Sequence, residues 1–296
     1  MSKGAVLLKT TRLPFLILTP IYVFLGVALA LANGVLVDPW SVSCILIAAA
    51  FSHVSVNCLN EYADFKSGLD FHTEKTPFSG GSGALLGCPE MAEQVLLVGL
   101  FALAITVAAG SYIVLSLGFI GLPLGILGIA LVLTYTPWLN RWPLLCLVSP
   151  GIGFGFLMVA GTCTVLSGSV ELSVLLVSII PFLLATNLLL LNQYPDVEAD
   201  AKVGRKHITI AYGVVASNRV LALSNVLIVL LLLGLVVAGV LPAISLFCLL
   251  PLVGGLYALS GAIKYGTQIG SQPSYLAANV MATLLTPLVL GLSVLF

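Results

Sequence analysis

Two short acidic segments interrupt a chain that is otherwise strongly apolar. The first reads Asn-Glu-Tyr-Ala-Asp over residues 60–64, and the second reads Asn-Gln-Tyr-Pro-Asp over residues 192–196. Of the 11 acidic residues in the chain, these segments and the residues just after them hold Glu61, Asp64, Asp70, Glu74, Asp196, Glu198 and Asp200. Charge at a membrane boundary is costly and usually functional. Paired carboxylates followed by basic residues indicate a site for divalent cations and a phosphorylated ligand.

The first acidic segment ends a long apolar run that is predicted to be helical. Four polar residues there follow the i, i+4, i+7, i+11 spacing of one helix face: His53, Asn57, Asn60 and Asp64. Asn60 and Asp64 are one turn apart, so an amide oxygen and a carboxylate can converge on one cation. Gly68 is predicted to end the helix, which would let Asp70 fold back toward the same point. His53 is interpreted as a buried, satisfied histidine, with a polar contact to a substrate as the less favoured alternative, and Asn57 as a residue that bonds between helices.

The second acidic segment repeats this pattern. Asn192, Asp196 and Asp200 lie at steps of four residues and are predicted to share one face of a helix. Oxygen ligands without cysteine favour Mg²⁺, with Mn²⁺ as a second candidate, over zinc. The predicted metal ligands are Asn60, Asp64, Asp70, Asn192, Asp196 and Asp200.

A glycine-rich or basic loop follows each acidic segment. The first reads Lys-Thr-Pro-Phe-Ser-Gly-Gly-Ser-Gly over residues 75–83, and the second reads Lys-Val-Gly-Arg-Lys-His over residues 202–207. Glycine-rich backbone can present N–H groups to phosphate oxygens, and Lys or Arg adds positive charge. The first loop lacks the GK[ST] ending of a P-loop, and the chain has no G-x-S-x-G or H-E-x-x-H motif that would support a hydrolase.

Composition sets the class of protein that carries these motifs. Hydrophobic residues make up 60% of the 296 residues and charged residues 7%, against about 25% charged in an average soluble domain. We therefore expect an all-α polytopic membrane protein, with residues 1–296 forming a single domain. The formal net charge of zero gives no indication of nucleic-acid binding.

Apolar runs of about 20 residues can cross the hydrocarbon core as helices. The predicted spans form a nine-helix bundle with a polar cavity open to the cytoplasm. They cover residues 13–33, 40–63, 90–116, 120–137, 145–167, 171–195, 215–239, 242–264 and 274–295.

The basic residues predict the orientation of these spans. With the N-terminus in the cytoplasm, all 11 Lys and Arg residues fall on the cytoplasmic side, as the positive-inside rule requires. Both acidic segments then lie on that side, at the ends of the second and sixth spans, and can share one cavity. The expected location is the plasma membrane. Topology alone would also place Lys75, Lys202, Arg205 and Lys206 on this side.

The two motifs resemble those of the UbiA superfamily of intramembrane prenyltransferases. That superfamily carries an Asn/Asp-rich motif on its second helix and a second Asp motif on its sixth. The N-x3-D-x5-D spacing that starts at Asn60 resembles the MenA-like branch, the 1,4-dihydroxy-2-naphthoate prenyltransferases. The motif that starts at Asn192 is similar to that branch's N-x3-D-x3-D-x3-G-K pattern. The loop over residues 76–81 departs from the Arg-rich loop of the branch, so the acceptor stays open.

The resemblance implies a prenyltransferase of menaquinone-type biosynthesis. Such an enzyme transfers an isoprenyl group from a prenyl diphosphate to an aromatic acceptor of the quinone-precursor type, by ionisation to an allylic cation within the membrane. Two Mg²⁺ ions would bridge the diphosphate to both acidic segments, with Asp64 and Asp196 central. Tyr135 would contact the diphosphate, and Arg141 is the nearest cation to it. The other implied diphosphate-binding residues are Lys75, Lys202, Arg205 and Lys206.

Two other functions remain open at this point. The same chemistry could act on a non-aromatic lipid acceptor, such as the hydroxyl of a glycerol ether. An ion- or proton-coupled transporter would also carry intramembrane Asp and Asn residues. Transporter acids usually lie near the bilayer midplane, whereas the acids here are predicted at cytoplasmic helix ends beside basic loops, which favours the enzyme.

Overall fold

The computed structural model describes residues 2–296, and within that range the chain forms helices and no strands, as predicted. Eight helices are long and apolar enough to cross a membrane, and a ninth apolar helix is shorter. The nine are α1 (Leu13–Ala32), α2 (Pro39–Ser67), α3 (Pro89–Ser116), α4 (Gly121–Thr134), α5 (Pro143–Ser167), α6 (Leu172–Asn192), α7 (Ile208–Val237), α8 (Ala243–Ser271) and α9 (Pro273–Ser293).

Helix α4 is the exception to the predicted series of full spans. It has 14 residues, or about 21 Å at 1.5 Å per residue, which is shorter than the hydrocarbon core of about 30 Å. A turn of 3₁₀-helix, Leu139–Arg141, follows it. The structure therefore contains eight full-length candidate spans, and a ninth crossing by α4 stays a prediction.

Helix α2 is long enough to carry polar residues beyond the apolar core. Asp38 caps its N-terminus, where the carboxylate accepts a hydrogen bond from the backbone N–H of Ser41 at 2.9 Å. It ends at Gly68, which adopts φ +80°, as its sequence position predicted. The 29 residues between span about 43 Å, so the last turns of α2 reach the membrane boundary.

Two breaks in helical geometry shape the inner helices. Pro150 cannot donate a backbone hydrogen bond, and α5 continues after it with a π-helical stretch, Ile152–Ala160. Gly155 in that stretch approaches α6 so closely that a Cβ atom would lie 2.5 Å from the backbone of Phe182. Helix α7 kinks at Gly213, where φ is +83°. Small residues at such contacts allow membrane helices to pack closely.

Helix α6 lies at the centre of the bundle. Its apolar face packs with α1, α5, α7 and α9 around fully buried side chains that include Tyr22, Leu184, Ile228 and Leu290. Helix α3 is peripheral, and Phe101 on it is 67% exposed. Large exposed apolar side chains on outer helices are expected where a protein faces lipid.

The segments that follow α2, α4 and α6 meet at one end of the bundle. The backbone N–H of Gly80 donates to Asp196 Oδ2 at 3.0 Å, and that of Lys206 donates to the carbonyl of Asn140 at 2.8 Å. Gly270, at the end of α8, packs against Pro195. Five shorter helices or turns complete this end: Lys3–Thr10, Leu69–Phe71, Ala84–Gly87, Leu139–Arg141 and Val197–Lys202.

Candidate active site

A cavity of about 790 Å³ opens between the helices and reaches both acidic segments. Its walls are apolar over most of α2–α6, with residues such as Ile45, Val114 and Leu188. At the end where the inter-helix segments meet, the lining is polar and charged. The lining there includes Arg12, Asn60, Asp64, Asp70, Asn192, Asp196, Asp200 and Arg205. All six predicted metal ligands therefore face one space.

The first acidic segment is arranged as its spacing predicted. The four residues of the helix face all line the cavity: His53, Asn57, Asn60 and Asp64. Asn60 Oδ1 accepts a hydrogen bond from Arg12 Nη2 at 3.1 Å. Gly68 turns the chain back, so that Asp70, in the one-turn helix Leu69–Phe71, is 3% exposed and points into the same cavity.

The second acidic segment differs from the expectation of one continuous helix face. Helix α6 ends at Asn192, three residues short of the predicted boundary, and a separate helix, Val197–Lys202, carries Asp200. Pro195 explains the break, because it lacks a backbone donor and disfavours helical geometry in the residue before it. Asp196 lies in the turn between the two helices. Asn192, Asp196 and Asp200 still line one cavity, through a turn and not through helical periodicity.

Arg205 joins the two acidic segments. Its guanidinium bonds to Asp200 Oδ1 at 2.9 Å and also forms an ion pair with Asp64 Oδ1. Burial disfavours the charge of Arg205, but Asp64 and Asp200 more than offset it, so the pKa of Arg205 lies above its ordinary value. His207 Nε2 lies 3.3 Å from the other oxygen of Asp200. The guanidinium of Arg205 thus holds Asp64 and Asp200, which are far apart in sequence, close to each other.

A second ion pair, between half-buried Arg12 and buried Glu61, anchors the glycine-rich loop. Arg12 Nη2 lies 2.6 Å from Glu61 Oε1, and Glu61 is 1% exposed. The same carboxylate accepts hydrogen bonds from the backbone and hydroxyl of Ser82, at 2.7 and 2.5 Å. Because the neighbouring Gly80 bonds to Asp196, the loop spans both acidic segments. All hydrogen bonds of Glu61 therefore serve to hold this loop and Arg12.

Three of the predicted ligands present unpaired oxygen atoms. Among the described residues, Asp70 Oδ2, Asn192 Oδ1 and Asp196 Oδ1 are buried without a hydrogen-bond partner, although buried polar atoms are normally paired. Burial and the nearby Glu61 raise the pKa of Asp70 to about 6, and burial and Asp200 raise that of Asp196 to about 7. A cation bound to these oxygens would satisfy them and favour the ionised carboxylates.

The described side chains do not by themselves form a complete metal site. In the part of the chain that the structure describes, no three Asp, Glu, His or Cys side chains converge closely enough to hold an ion. Mg²⁺ usually needs only one or two carboxylates, with waters and substrate phosphates completing its shell. The donor set of carboxylate and amide oxygens around the cavity fits Mg²⁺ held between protein and a phosphorylated substrate.

The side chains predicted to contact the diphosphate fall into two groups. Arg205 lines the cavity, and so does Tyr135. The other four side chains are exposed and lie outside the cavity lining: Lys75, Arg141, Lys202 and Lys206. The motifs did not single out Arg12, which lines the cavity, or Glu61, which holds Arg12 and the glycine-rich loop. The position of Arg12 just before the first span is the signal in the sequence that it can reach the cavity.

Gly81 is a position where the loop accommodates a side chain only with strain. Its φ is +68°, and a Cβ atom there would lie 3.2 Å from both Asp70 Oδ1 and Glu61 Oε1. We expect Gly81→Ala to cost about 1–2 kcal/mol from backbone strain alone and to weaken substrate binding. Thermal unfolding in detergent and the KM for the phosphorylated substrate would measure both. Gly87→Ala is the control, because nothing lies within 4 Å of its Cβ position; equal effects of the two changes would contradict this role.

Comparison with known proteins agrees with this geometry. Over 247 residues the chain is 28% identical to the 1,4-dihydroxy-2-naphthoate octaprenyltransferase of Bacillus subtilis (strain 168), covering 80% of this chain and 76% of the relative. It is 27% identical over 176 residues to the enzyme of the same name from Haemophilus influenzae, covering 57% of this chain and 56% of that one. The sequence resemblance to the naphthoate branch is thus confirmed.

Solved structures share the fold at low sequence identity. A UbiA homolog from Archaeoglobus fulgidus bound to DMAPP and Mg²⁺ superimposes with a TM-score of 0.64 at 16% identity, covering 98% of both chains. An apo UbiA homolog from Aeropyrum pernix K1 gives 0.63 at 17% identity, covering 95% and 96%. A digeranylgeranylglyceryl phosphate synthase gives 0.62 at 15%, covering 98% and 99%. The model of the UbiA prenyltransferase family matches residues 19–280, so this chain, a multi-pass membrane protein, belongs to that family.

Proposed function

We propose that this protein transfers an isoprenyl group from a prenyl diphosphate to an aromatic acceptor, with Mg²⁺ holding the diphosphate. The observation that carries the proposal is that six oxygen-bearing side chains and two arginines line the polar end of one apolar cavity. The relatives are naphthoate prenyltransferases, and the A. fulgidus homologs bind prenyl diphosphates with Mg²⁺. An anionic head and an apolar tail match the two parts of this cavity.

The chain's own residues divide the work of binding the diphosphate. Two Mg²⁺ ions, for which Mn²⁺ is a substitute, would be held by Asp64 and Asp70 with Asn60 on one side, and by Asp196 and Asp200 with Asn192 on the other. When bound, they stabilise the negative charge of the departing diphosphate. Arg205 is the basic side chain best placed to stabilise the negative charge on the departing diphosphate, because it already lies between Asp64 and Asp200.

The apolar walls of the cavity protect the allylic cation. Each buried CH₂ of the prenyl tail contributes roughly 0.8 kcal/mol, so donor and product favour this site over water. Exclusion of water also suppresses hydrolysis of the cation to an alcohol. Tyr135 lines the cavity and can contact the diphosphate or the cation. Lys75, Arg141, Lys202 and Lys206 remain candidates for drawing the anionic donor to the cavity entrance.

The decisive experiment measures prenyl transfer directly. Purified protein would be incubated with labelled prenyl diphosphates of several lengths and two classes of acceptor, with Mg²⁺, with Mn²⁺ or with EDTA. We expect prenylation of a dihydroxynaphthoate or related aromatic ring, stopped by EDTA and restored by Mg²⁺. Transfer only to a glycerol-ether hydroxyl would support the second candidate, which the likeness to digeranylgeranylglyceryl phosphate synthase favours at the level of the fold. Absence of any metal-dependent transfer would overturn the proposal.

The orientation forms part of the same proposal. The basic residues around the site cluster where the segments after α2, α4 and α6 meet, and the positive-inside rule places that end in the cytoplasm. A cytoplasmic site in the plasma membrane would receive a water-soluble aromatic acid and release a membrane-bound product. Labelling of single cysteines from one side of sealed vesicles, one introduced near Lys206 and one near Asp38, would test the assignment.

A further inference from the structure

One imidazole lies inside the cavity, two helical turns before the first acidic segment of α2. His53 is seven residues before Asn60 on the same face of α2, about 10 Å along the helix axis. It lines the cavity and is 7% exposed. Among residues 2–296 no acidic side chain lies within ion-pair distance of it. The distance from the carboxylates separates His53 from the metal and diphosphate chemistry.

The ring of His53 is fixed by two contacts that leave one nitrogen free. Nδ1 lies 2.9 Å from the hydroxyl of Thr19, which is fully buried. The ring of Phe154 packs edge-on at 5.1 Å between centroids. Nε2 has no hydrogen-bond partner in the described protein and is not among its fully enclosed unpaired atoms. It therefore meets the space of the cavity.

The hydrogen-bonding needs of Thr19 assign the proton. The hydroxyl of Thr19 has no other hydrogen-bond acceptor within residues 2–296, so it is satisfied as a donor only if it donates to Nδ1. A neutral imidazole that accepts at Nδ1 carries its proton on Nε2. In this tautomer His53 presents an N–H donor to the cavity, on a wall that also carries Ser52, Asn57 and Thr162.

Neighbouring hydroxyls on the cavity wall do not offer the same group. Ser52 donates to the carbonyl of Ala49 at 2.7 Å, and Thr162 donates to that of Met158 at 2.6 Å. Each of these hydroxyls is already bonded within its own helix. A prenyl tail has no atom that could accept from His53, whereas a hydroxylated aromatic ring has one.

We propose that His53 binds the aromatic acceptor by donating a hydrogen bond from Nε2 to an oxygen on its ring. This inference rests on the proposed function and adds the residue that orients the acceptor. With the diphosphate held near Asn60 and Asp64, a separation of about 10 Å leaves room for a fused ring between the two groups. The bond would set which ring carbon faces the allylic cation, and such positioning strongly affects the rate of reaction.

The test compares three variants with two acceptors. We expect His53→Phe to raise the KM and the dissociation constant for a hydroxynaphthoate about tenfold each. This is the cost of losing one hydrogen bond in a site from which water is excluded. His53→Gln, which keeps an N–H donor, should recover most of that loss. The KM for the prenyl diphosphate and the Mg²⁺ dependence should change less than about twofold. Ser52→Ala is the control, because its hydroxyl bonds only to its own helix.

An acceptor analogue with one ring hydroxyl replaced by hydrogen supplies the second arm. The wild-type protein should bind this analogue more weakly than the parent acceptor. The His53→Phe variant should bind the analogue and the parent with equal affinity, because the two changes remove the same bond. Unchanged acceptor affinity in His53→Phe, beside normal wild-type turnover, would overturn this inference and leave the proposed function intact. If the wild-type protein prenylates no aromatic acceptor at all, the proposed function fails first and this inference with it.

Discussion

Replacement of Asp196 by Asn is expected to reduce Mg²⁺-dependent release of diphosphate by about 10³-fold or more, while the protein stays folded. The change removes the charge of a proposed metal ligand, one of whose oxygens has no hydrogen-bond partner among residues 2–296. Metal-based stabilisation of transition-state charge contributes several kcal/mol, and about 4 kcal/mol corresponds to a factor of 10³ in rate. Asp64→Asn should act in the same direction.

The control for Asp196→Asn lies two residues away. Glu198 is exposed and is not part of the cavity lining, so Glu198→Gln removes the same unit of charge from the same segment. We expect it to retain activity within about threefold, because screened surface charges contribute little. Release of labelled diphosphate across a Mg²⁺ titration would measure both variants. Full activity in Asp196→Asn would exclude it as a metal ligand.

Replacement of Arg205 by Met is expected to damage both stability and donor binding. Arg205 is the shared partner of Asp64 and Asp200, and removal of one partner from a buried ion pair typically costs about 3–5 kcal/mol. At neutral pH the variant should unfold at a clearly lower temperature in detergent. Its KM for the prenyl diphosphate should rise by at least about tenfold, because the proposed charge-assisted contact between Arg205 and the diphosphate would be lost.

Lys206→Met tests whether position or charge alone explains this effect. Lys206 is the next residue in the chain, but its side chain is exposed and outside the cavity lining. We expect little change in unfolding temperature and a donor KM within about threefold of wild type. If Lys206→Met matched Arg205→Met in donor KM, the loop would act through its total charge, and the specific role of Arg205 would be wrong.

Much of the fold could be predicted because the membrane imposes strong rules on sequence. Apolar length predicted where α1–α9 lie, since backbone groups in lipid must be paired within a helix. The i, i+4, i+7 spacing correctly predicted that His53, Asn57, Asn60 and Asp64 share one face. The same logic failed at Pro195, where helical spacing was extended through a residue that ends the helix. The prediction of a full span at α4 is not settled, because its helix has only 14 residues.

The sequence by itself determined the membrane class, the acidic segments and the resemblance to a family, because these depend on local composition and spacing. Only the tertiary structure decided which side chains of those segments contact each other. It placed Arg205 between Asp64 and Asp200, which are 136 residues apart, and it committed Glu61 to Arg12 and the glycine-rich loop. It separated the one arginine of the second basic loop that reaches the cavity from the lysines that do not. Such pairings depend on side-chain direction across different helices, which periodicity along a single helix does not contain.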